Sequence, residues 1–357
     1  PFIDLLKTKR WWIVTMQLLI GAVLGGVAFT IPGPYWLQAT LFFFWLMAFA
    51  SATHDIAADG FYMLALNPGD QSLFAGIRST FYRLSSIFGQ GVLVALAGFL
   101  ENRYGAVHVA WKVTLLLSAA VFAIVTLYHT WSIPRPAADN RPAVTTAREI
   151  IMEFGRTFVT FFRKKGVWIA MVFMLLYRLP EAFLVKMMNP FLLDSLAEGG
   201  LALSTESVGL VYGTVGVAAL TVGGILGGIA AAKWGLKKCM WPMALALTLP
   251  CLSFVFLSVF QPENLWVTGS CVALDQFGYG FGFTAYMLFM MHFSDGPYKT
   301  SHYAICTAFM ALSMMLPGFI AGTLEMMVGY STFFWIANSC SITTFIITYF
   351  VYKKLEN

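Results

Sequence analysis

The longest uncharged stretch of this sequence runs from Trp11 to Thr53 and contains no Asp, Glu, Lys or Arg. Runs of about 18 or more residues without charges are candidate transmembrane helices. Further runs of that length cover 113–134, 207–232, 239–262, 300–324 and 326–352. Only 11% of the 357 residues are charged and 59% are hydrophobic, whereas soluble domains carry about 25% charged residues. These features predict an all-α fold, a polytopic bundle of transmembrane helices.

Charged and turn-forming residues divide the chain into ten predicted spans. The spans cover 11–31, 36–66, 74–100, 107–133, 167–193, 207–232, 239–260, 265–292, 301–326 and 331–352. Lysines and arginines concentrate in alternate loops, and the positive-inside rule places such loops in the cytoplasm. This pattern predicts two cytoplasmic termini and a multi-pass protein in a lipid bilayer. It also explains the net charge of +5 without a nucleic-acid partner.

A polar segment divides the spans into two groups. Residues 1–134 form a predicted N-terminal half of four spans, and residues 167–357 form a predicted C-terminal half of six. Residues 135–166 form a predicted cytoplasmic linker, which begins rich in proline. Its second part alternates isoleucines and phenylalanines with charged residues, a pattern typical of an amphipathic helix on a membrane surface.

The sequence lacks the short motifs of enzymes and metal sites. Its five cysteines show no CxxC spacing, and no HExxH, GxSxG or P-loop pattern occurs. We therefore predict no catalytic residues, no metal, no cofactor and neither enzymatic nor ATP-driven activity. His292 and His302 flank a polar loop, and we expect both to be solvated.

The segment SATHDIAADGFY, residues 51–62, places titratable side chains inside a span. An ionisable side chain at the centre of a bilayer costs at least roughly 2.5–3.5 kcal/mol. Asp55 and Asp59 are four residues apart, so both lie on one face of a helix, next to His54. Repulsion between the two acids favours a group that takes up and releases a proton. The alternative is a fixed ion pair with Arg83 that braces two helices.

The segment YRLPEAFLVKMMNPF, residues 177–191, holds the second group of charges. Arg178 and Glu181 are three residues apart, and Lys186 and Asn189 follow. The two prolines each remove a backbone donor, and interrupted transmembrane helices often line a wet binding cavity. The alternative is a kinked helix whose arginine and glutamate pair internally, which would leave the lysine and the asparagine unexplained.

The segment LDQFGYGFGFTAYM, residues 274–287, is the third candidate site. Asp275 and Gln276 precede alternating glycines and aromatic residues. Glycine lets a ligand approach the backbone, and the rings of Tyr279 and Tyr286 offer faces for a sugar. The alternative is an aromatic helix that faces lipid.

Taken together, these segments supply two sets of candidate residues. The candidates for proton coupling are His54, Asp55, Asp59, Glu181 and Asp275. The candidates for substrate binding are Arg83, Arg178, Lys186, Asn189, Gln276, Tyr279 and Tyr286.

Two loops resemble the cytoplasmic signature of the major facilitator superfamily, in which a glycine and an acidic residue precede basic residues around a second glycine. The later loop, GIAAAKWGLKK, matches at Gly228, Lys233, Gly235, Lys237 and Lys238, with Ala232 in the place of the acid. The first loop, PFIDLLKTKRWW, matches the second part of the signature at Asp4, Lys9 and Arg10. The resemblance implies that these residues act in conformational change.

Five segments resemble the muropeptide permease (AmpG) family of that superfamily, and they are spread over nearly the whole chain. They are SATHDIAADGFY, FYRLSSIFGQG, LYRLPEAFLVKMMNPFLL, DQFGYGFGFTAYM and YAICTAFMALSMMLPGFIAGTLEMMVGYSTFFW. The resemblance implies a proton-coupled importer of N-acetylglucosamine–anhydromuramic acid, with or without its peptide, in the bacterial inner membrane. Such an importer serves cell-wall recycling and works by alternating access. The implied polar cavity positions are Asp55, Asp59, Arg83, Arg178 and Glu181.

The chain departs from the family pattern in two places. His54 stands where many members have glutamine, and histidine titrates near neutral pH. The superfamily's usual twelve spans would also place two before Pro1, so we expect an N-terminally truncated chain. We expect a monomer. The alternatives are a transporter of another solute, such as a sugar, a peptide or an acyl-CoA, and a non-transporting fragment.

Overall fold

The computed structural model describes residues 2–136, 139 and 147–354, and leaves some helical side chains, that of Arg83 among them, outside the description. The regular secondary structure of the described residues is helical, without strands. The predicted all-α fold is therefore confirmed.

The α-helices of the described residues are numbered here in chain order. They are α1 (Phe2–Leu6), α2 (Lys9–Thr30), α3 (Trp36–Ala65), α4 (Pro68–Ile87), α5 (Leu93–Tyr104), α6 (Val107–Ser132), α7 (Ala147–Phe162), α8 (Val167–Leu176), α9 (Leu179–Leu193), α10 (Thr205–Val208), α11 (Val217–Thr248), α12 (Cys251–Phe260), α13 (Leu265–Ser294), α14 (Lys299–Ser339) and α15 (Ser341–Lys354). π-Helical turns join α4 to α5 at Phe88–Val92 and α10 to α11 at Gly209–Gly216, and Leu196–Glu198 form a 3₁₀ turn.

Six helical stretches of the described residues are long and apolar enough to cross a membrane. Two of them, Gly209–Phe260 and Lys299–Lys354, contain 52 and 56 residues. At about 1.5 Å per residue, either would greatly exceed a hydrocarbon core of about 30 Å. Each stretch is interrupted by one glycine of positive φ, Gly235 at 77° and Gly329 at 74°, a conformation that other residues rarely adopt. Each stretch therefore supplies two spans.

Two further helical segments of the described residues, 68–104 and 265–294, lie at the two remaining predicted spans and bring the helical segments to ten. These ten agree with the spans predicted from the sequence. The amphipathic segment after the proline-rich stretch forms α7, as its pattern predicts.

The chain forms two compact units. The first contains Pro1–Asn67, Leu84–Thr160 and Gly296–Ala304, and the second contains Pro68–Arg83, Phe161–Asp295 and Ile305–Asn357. The predicted division into halves of four and six spans stays a prediction.

In the first unit, α2 packs against α3 and α6. Gln17 on α2 is hydrogen bonded to the Nδ1 atom of His129 on α6 at 2.9 Å. The hydroxyl of Thr8 caps α2 by accepting a hydrogen bond from the Trp11 amide, which satisfies a donor at the start of the helix.

In the second unit, α11 and α13 are packed so closely that glycines are needed at their contact. A Cβ atom on Gly227 would lie 2.9 Å from the Phe281 carbonyl oxygen, and one on Gly282 would lie 2.5 Å from the Met243 carbonyl oxygen. Small residues of this kind let transmembrane helices approach one another. We expected the glycines of α13 to admit a ligand, but the backbone of α11 occupies the space beside Gly280 and Gly282.

Candidate functional site

The helix of the fifth span is broken at the charged residues that the sequence singles out. α8 ends at Leu176, and α9 begins at Leu179 with Pro180 in its first turn, where proline costs no hydrogen bond. Arg178 lies between the two helices with φ of −104° and ψ of 11°. The hydroxyl of Thr344 on α15 donates to the carbonyl oxygen of Tyr177 at 3.1 Å, which satisfies an acceptor that the break exposes.

Arg178 and Glu181 form a buried ion pair across this break. The Nε and Nη2 atoms of Arg178 donate to the same oxygen, Oε2 of Glu181, at 3.1 and 2.9 Å. The two residues are only 5% and 4% exposed. The arginine and the glutamate therefore pair internally, as the alternative interpretation of this segment has it, and the pair holds one positive and one negative charge in an apolar interior.

Aromatic rings from α13 surround the guanidinium of Arg178. Its Cζ atom lies 4.6 Å from the ring centroid of Phe283, 5.4 Å from that of Tyr279 and 5.8 Å from that of Tyr286. Nη2 also donates to the hydroxyl oxygen of Tyr279 at 3.3 Å. Cation–π contacts of this kind stabilise a desolvated cation by about 2 kcal/mol. The role of Phe283 could not be read from its spacing, because it depends on how α13 packs against the break.

The two tyrosines predicted to bind substrate, Tyr279 and Tyr286, differ in how far their side chains are buried. Tyr286 is fully buried, and its hydroxyl donates to the Met174 carbonyl oxygen at 2.5 Å. Tyr279 is only half buried. The Tyr279 ring is therefore the more accessible of the two faces beside Arg178.

Asp275 and Gln276 lie further along α13 and are both buried, at 4% and 3% exposure. The Nε2 atom of Gln276 donates to Oδ2 of Asp275 at 3.0 Å. Among its described residues, the second unit therefore buries two carboxylates, that of Glu181 on α9 and that of Asp275 on α13.

Lys186 and Asn189 are placed differently from the ion pair. Both side chains are exposed, and the stem of Lys186 lies beside Gly318, where an added Cβ would be 2.9 Å from Cε. The structure does not bring these two residues together with Arg178 and Glu181. The break itself is explained by the buried pair and the proline.

The acids of α3 have unequal environments in the first unit. Asp59 is buried, at 4% exposure, whereas Asp55 is exposed and His54 is half buried. A buried carboxylate in a membrane span requires a partner or water. Burial therefore distinguishes Asp59 from Asp55, which the sequence spacing alone could not do. The side chain of Arg83 lies outside the described residues.

The acidic residue of the first signature segment, Asp4, makes an ion pair and two hydrogen bonds. Asp4 pairs with Lys9 at 3.0 Å and accepts hydrogen bonds from the amide and the hydroxyl of Ser301 at 3.0 and 2.5 Å. Burial raises the pKa of Asp4, whereas the charge of Lys9 and the hydrogen bond from Ser301 lower it. The lowering effects are together the larger, so the pKa lies below its ordinary value. The partnership with Ser301 had no signal in the sequence.

The other signature residues lie at helix ends, bends and close helix contacts. Nε of Arg10 donates to the Ile133 carbonyl oxygen at 3.1 Å, so this base fastens the end of α6. A Cβ on Gly228 would lie 2.7 Å from the Leu73 carbonyl oxygen, so α4 and α11 pack closely at this point. Gly235 makes the bend in α11. Lys233 and Lys238 are exposed beside it.

His302 corrects an expectation. We expected it to be solvated, but it is 1% exposed, and its Nε2 atom lies 3.2 Å from both the Thr157 carbonyl oxygen and the Thr160 hydroxyl. Tyr298 in the same segment donates to Glu153. The segment Gly296–Ala304 is thus attached to α7 as well as to α1. His292 is exposed as expected.

The model of the Major Facilitator Superfamily matches residues 1–322. The chain belongs to this superfamily of membrane transporters. The predicted resemblance and the predicted fold type are therefore confirmed.

Two curated relatives and one solved structure show how far the similarity extends. The anhydromuropeptide permease of Escherichia coli is 23% identical over 351 residues, which are 98% of this chain and 67% of that protein. The putative transporter AmpG 4 of Rickettsia felis is 22% identical over 364 residues, covering 100% of this chain and 82% of that protein. The crystal structure of the Escherichia coli fucose:proton symporter FucP matches with a TM-score of 0.70 at 15% identity, covering 96% of this chain and 83% of that chain. This chain therefore spans about two thirds of the first relative.

Proposed function

We propose that the protein is a proton-coupled importer of anhydromuropeptides, carrying N-acetylglucosamine–anhydromuramic acid with or without its peptide for cell-wall recycling. The observation that carries the proposal is the buried Arg178–Glu181 pair at a helix break, with aromatic rings around the guanidinium. The substrate class is taken from the relative named an anhydromuropeptide permease.

In the proposed mechanism, a proton on Glu181 removes the negative charge that holds Arg178. The guanidinium can then bind a substrate carboxylate, because its planar array of donors fits the two carboxylate oxygens. Tyr279, half buried beside it, offers a ring face to a sugar. Proton uptake at Glu181 and substrate binding at Arg178 are thereby linked within one pair of side chains.

Asp275 and Asp59 are the further proposed carriers of the coupled proton. Both are 4% exposed, and a carboxyl group in such surroundings is less costly when it is neutral. A change of charge at either acid would alter the balance between two conformations, which is the requirement for alternating access.

The proposed setting is the bacterial cytoplasmic membrane, with both termini in the cytoplasm. The basic residues at the start of α2, before α8 and at the end of α15 support this orientation, since cytoplasmic loops carry an excess of lysine and arginine. The proposed partners are protons, the glycopeptide and the lipid bilayer, and the proposed unit is a monomer.

Uptake into membrane vesicles with an imposed inward proton gradient tests the proposal. We expect labelled anhydromuropeptide to accumulate, and a protonophore to abolish the accumulation. Glu181→Gln should remove the gradient-dependent part. The matched control is Glu263→Gln, the same chemical change at an exposed loop position, which should retain it.

Two other labelled solutes, a sugar and a coenzyme A ester, distinguish the remaining functions. Preferential uptake of either would assign the protein to another transported solute. If none of the three solutes enters, the proposed function is rejected.

A further inference from the structure

A basic cavity of about 370 Å³ lies in the second unit, where α8 begins and α13 and α15 end. Lys164, Lys165 and Lys354 line it together with Asp295. Three lysines and one aspartate leave a formal charge of +2. No part of the transport mechanism uses these residues.

The lysines are held in place by backbone carbonyl oxygens. Nζ of Lys164 donates to the carbonyl oxygens of Phe293 and Asp295 at 2.6 and 2.7 Å. Nζ of Lys354 donates to that of Lys165 at 2.5 Å. Both Nζ atoms also lie over the Phe293 ring, at 5.3 and 5.8 Å from its centroid. An ammonium group has three donors, so the carbonyl oxygens do not use all the donors of either lysine. The cavity therefore presents ordered cationic donors.

An apolar groove of about 450 Å³ lies between the same two helices, α8 and α15, and includes Trp168 and Val172. On α15, Ile347 and Phe350 line the groove, whereas Val351 and Lys354 line the basic cavity. Each groove residue lies four positions before a cavity residue, and residues four apart share a helix face. The groove therefore continues from the cavity along α15.

We propose that the cavity and the groove together bind one anionic phospholipid, with its phosphate in the basic cavity and an acyl chain in the groove. The charge of the cavity complements a phosphodiester, and basic pockets between transmembrane helices are suited to lipid head groups. The apolar groove distinguishes a lipid from free phosphate, since phosphate has nothing to place there.

Native mass spectrometry of the purified, delipidated protein tests this site. Phosphatidylglycerol, phosphatidylethanolamine with the same acyl chains, and inorganic phosphate are titrated separately. We expect phosphatidylglycerol to bind several-fold more tightly than phosphatidylethanolamine, and phosphate alone to compete poorly. Equal binding of the two lipids would overturn the proposal, and so would phosphate that competes as well as the anionic lipid.

A neighbouring pair of lysines provides the matched control. Lys354→Gln should weaken phosphatidylglycerol binding about tenfold, because a charge-assisted hydrogen bond to the phosphate is lost. Lys353→Gln removes the same charge from an exposed position outside the cavity and should leave binding unchanged. Equal loss in both variants would mean general attraction and reject the site.

Ile346→Asn tests the groove separately. Ile346 lines the groove and is 54% exposed, so the change does not alter the buried core of the unit. It should weaken phosphatidylglycerol binding while competition by phosphate stays the same. Unchanged lipid binding would reject the acyl-chain part of the proposal. The titration of the two lipids against the parent protein tests the site even if a variant fails to fold.

Discussion

Removal of Glu181 would leave the Arg178 guanidinium buried without its counter-ion. Breaking a buried ion pair by deleting one partner costs about 3–5 kcal/mol, because an uncompensated charge remains. Here Arg178 is 5% exposed and loses two hydrogen bonds, but keeps the Phe283 ring at 4.6 Å. A desolvated cation–π contact contributes about 2 kcal/mol, so we expect Glu181→Ala to destabilise the protein by roughly 3 kcal/mol.

The double variant Arg178→Met, Glu181→Leu removes both charges and keeps the volume similar. Replacing a buried ion pair with apolar residues is often neutral in stability, so we expect the double variant to unfold within about 1 kcal/mol of the parent protein. The single and double changes should therefore be strongly non-additive. Denaturant unfolding in detergent micelles measures the free energies of unfolding.

The same double variant separates a transport role from a bracing role. If Arg178 and Glu181 bind substrate and proton, the double variant is stable but does not accumulate anhydromuropeptide in vesicles. If the pair only braces the helix break, stability and uptake recover together. Normal uptake by a stable double variant would refute our account of the pair.

Three further perturbations test other parts of the structure. Asp59→Asn should abolish proton-driven uptake while Asp55→Asn retains more of it, because Asp59 is 4% exposed and Asp55 is exposed; equal initial rates for the two variants would contradict this ranking. Because the pKa of Asp4 is lowered on folding, its stabilising contribution should be present above pH 3.8, its ordinary pKa, and lost at lower pH. A stability difference between the parent protein and Asp4→Asn that persisted unchanged far below that pH would argue otherwise. Gly223→Ala should destabilise by about 1–3 kcal/mol, since its Cβ would overlap the Phe277 carbonyl oxygen of α13 and lie 2.9 Å from the carbonyl carbon. Gly213→Ala, where a Cβ meets no atom within 4 Å, should be near neutral in thermal unfolding.

The spans could be predicted because a membrane imposes a simple rule on the chain. Uncharged runs and turn residues place the helices, and the short breaks after the sixth and ninth spans coincide with Gly235 and Gly329. The π-helical turns at Phe88–Val92 and Gly209–Gly216 could not be predicted, because they depend on packing and not on composition.

The candidate site could be predicted only where its members are near in sequence. Arg178 and Glu181 are three residues apart, and a helix brings such residues together. Lys186 and Asn189 lie on the same short helix, yet their side chains are exposed. The nearness of Phe283 to Arg178 depends on tertiary contacts that no local spacing records.

The first turn of α14 shows the same limit. Polar residues beside a turn predicted a solvated histidine, but His302 is 1% exposed and lies against α7. Its surroundings come from residues more than a hundred positions earlier. Sequence spacing therefore identifies the charged residues of a span or loop, while the fold decides which of them are buried.

The most direct test of the central claim is the movement of protons caused by substrate. In proteoliposomes that contain the purified protein, added anhydromuropeptide should make the weakly buffered external medium more alkaline, because each imported substrate carries protons inward. Glu181→Gln proteoliposomes should give no such signal. Substrate entry without any change in external pH would contradict proton coupling, and so would an unchanged signal from Glu181→Gln.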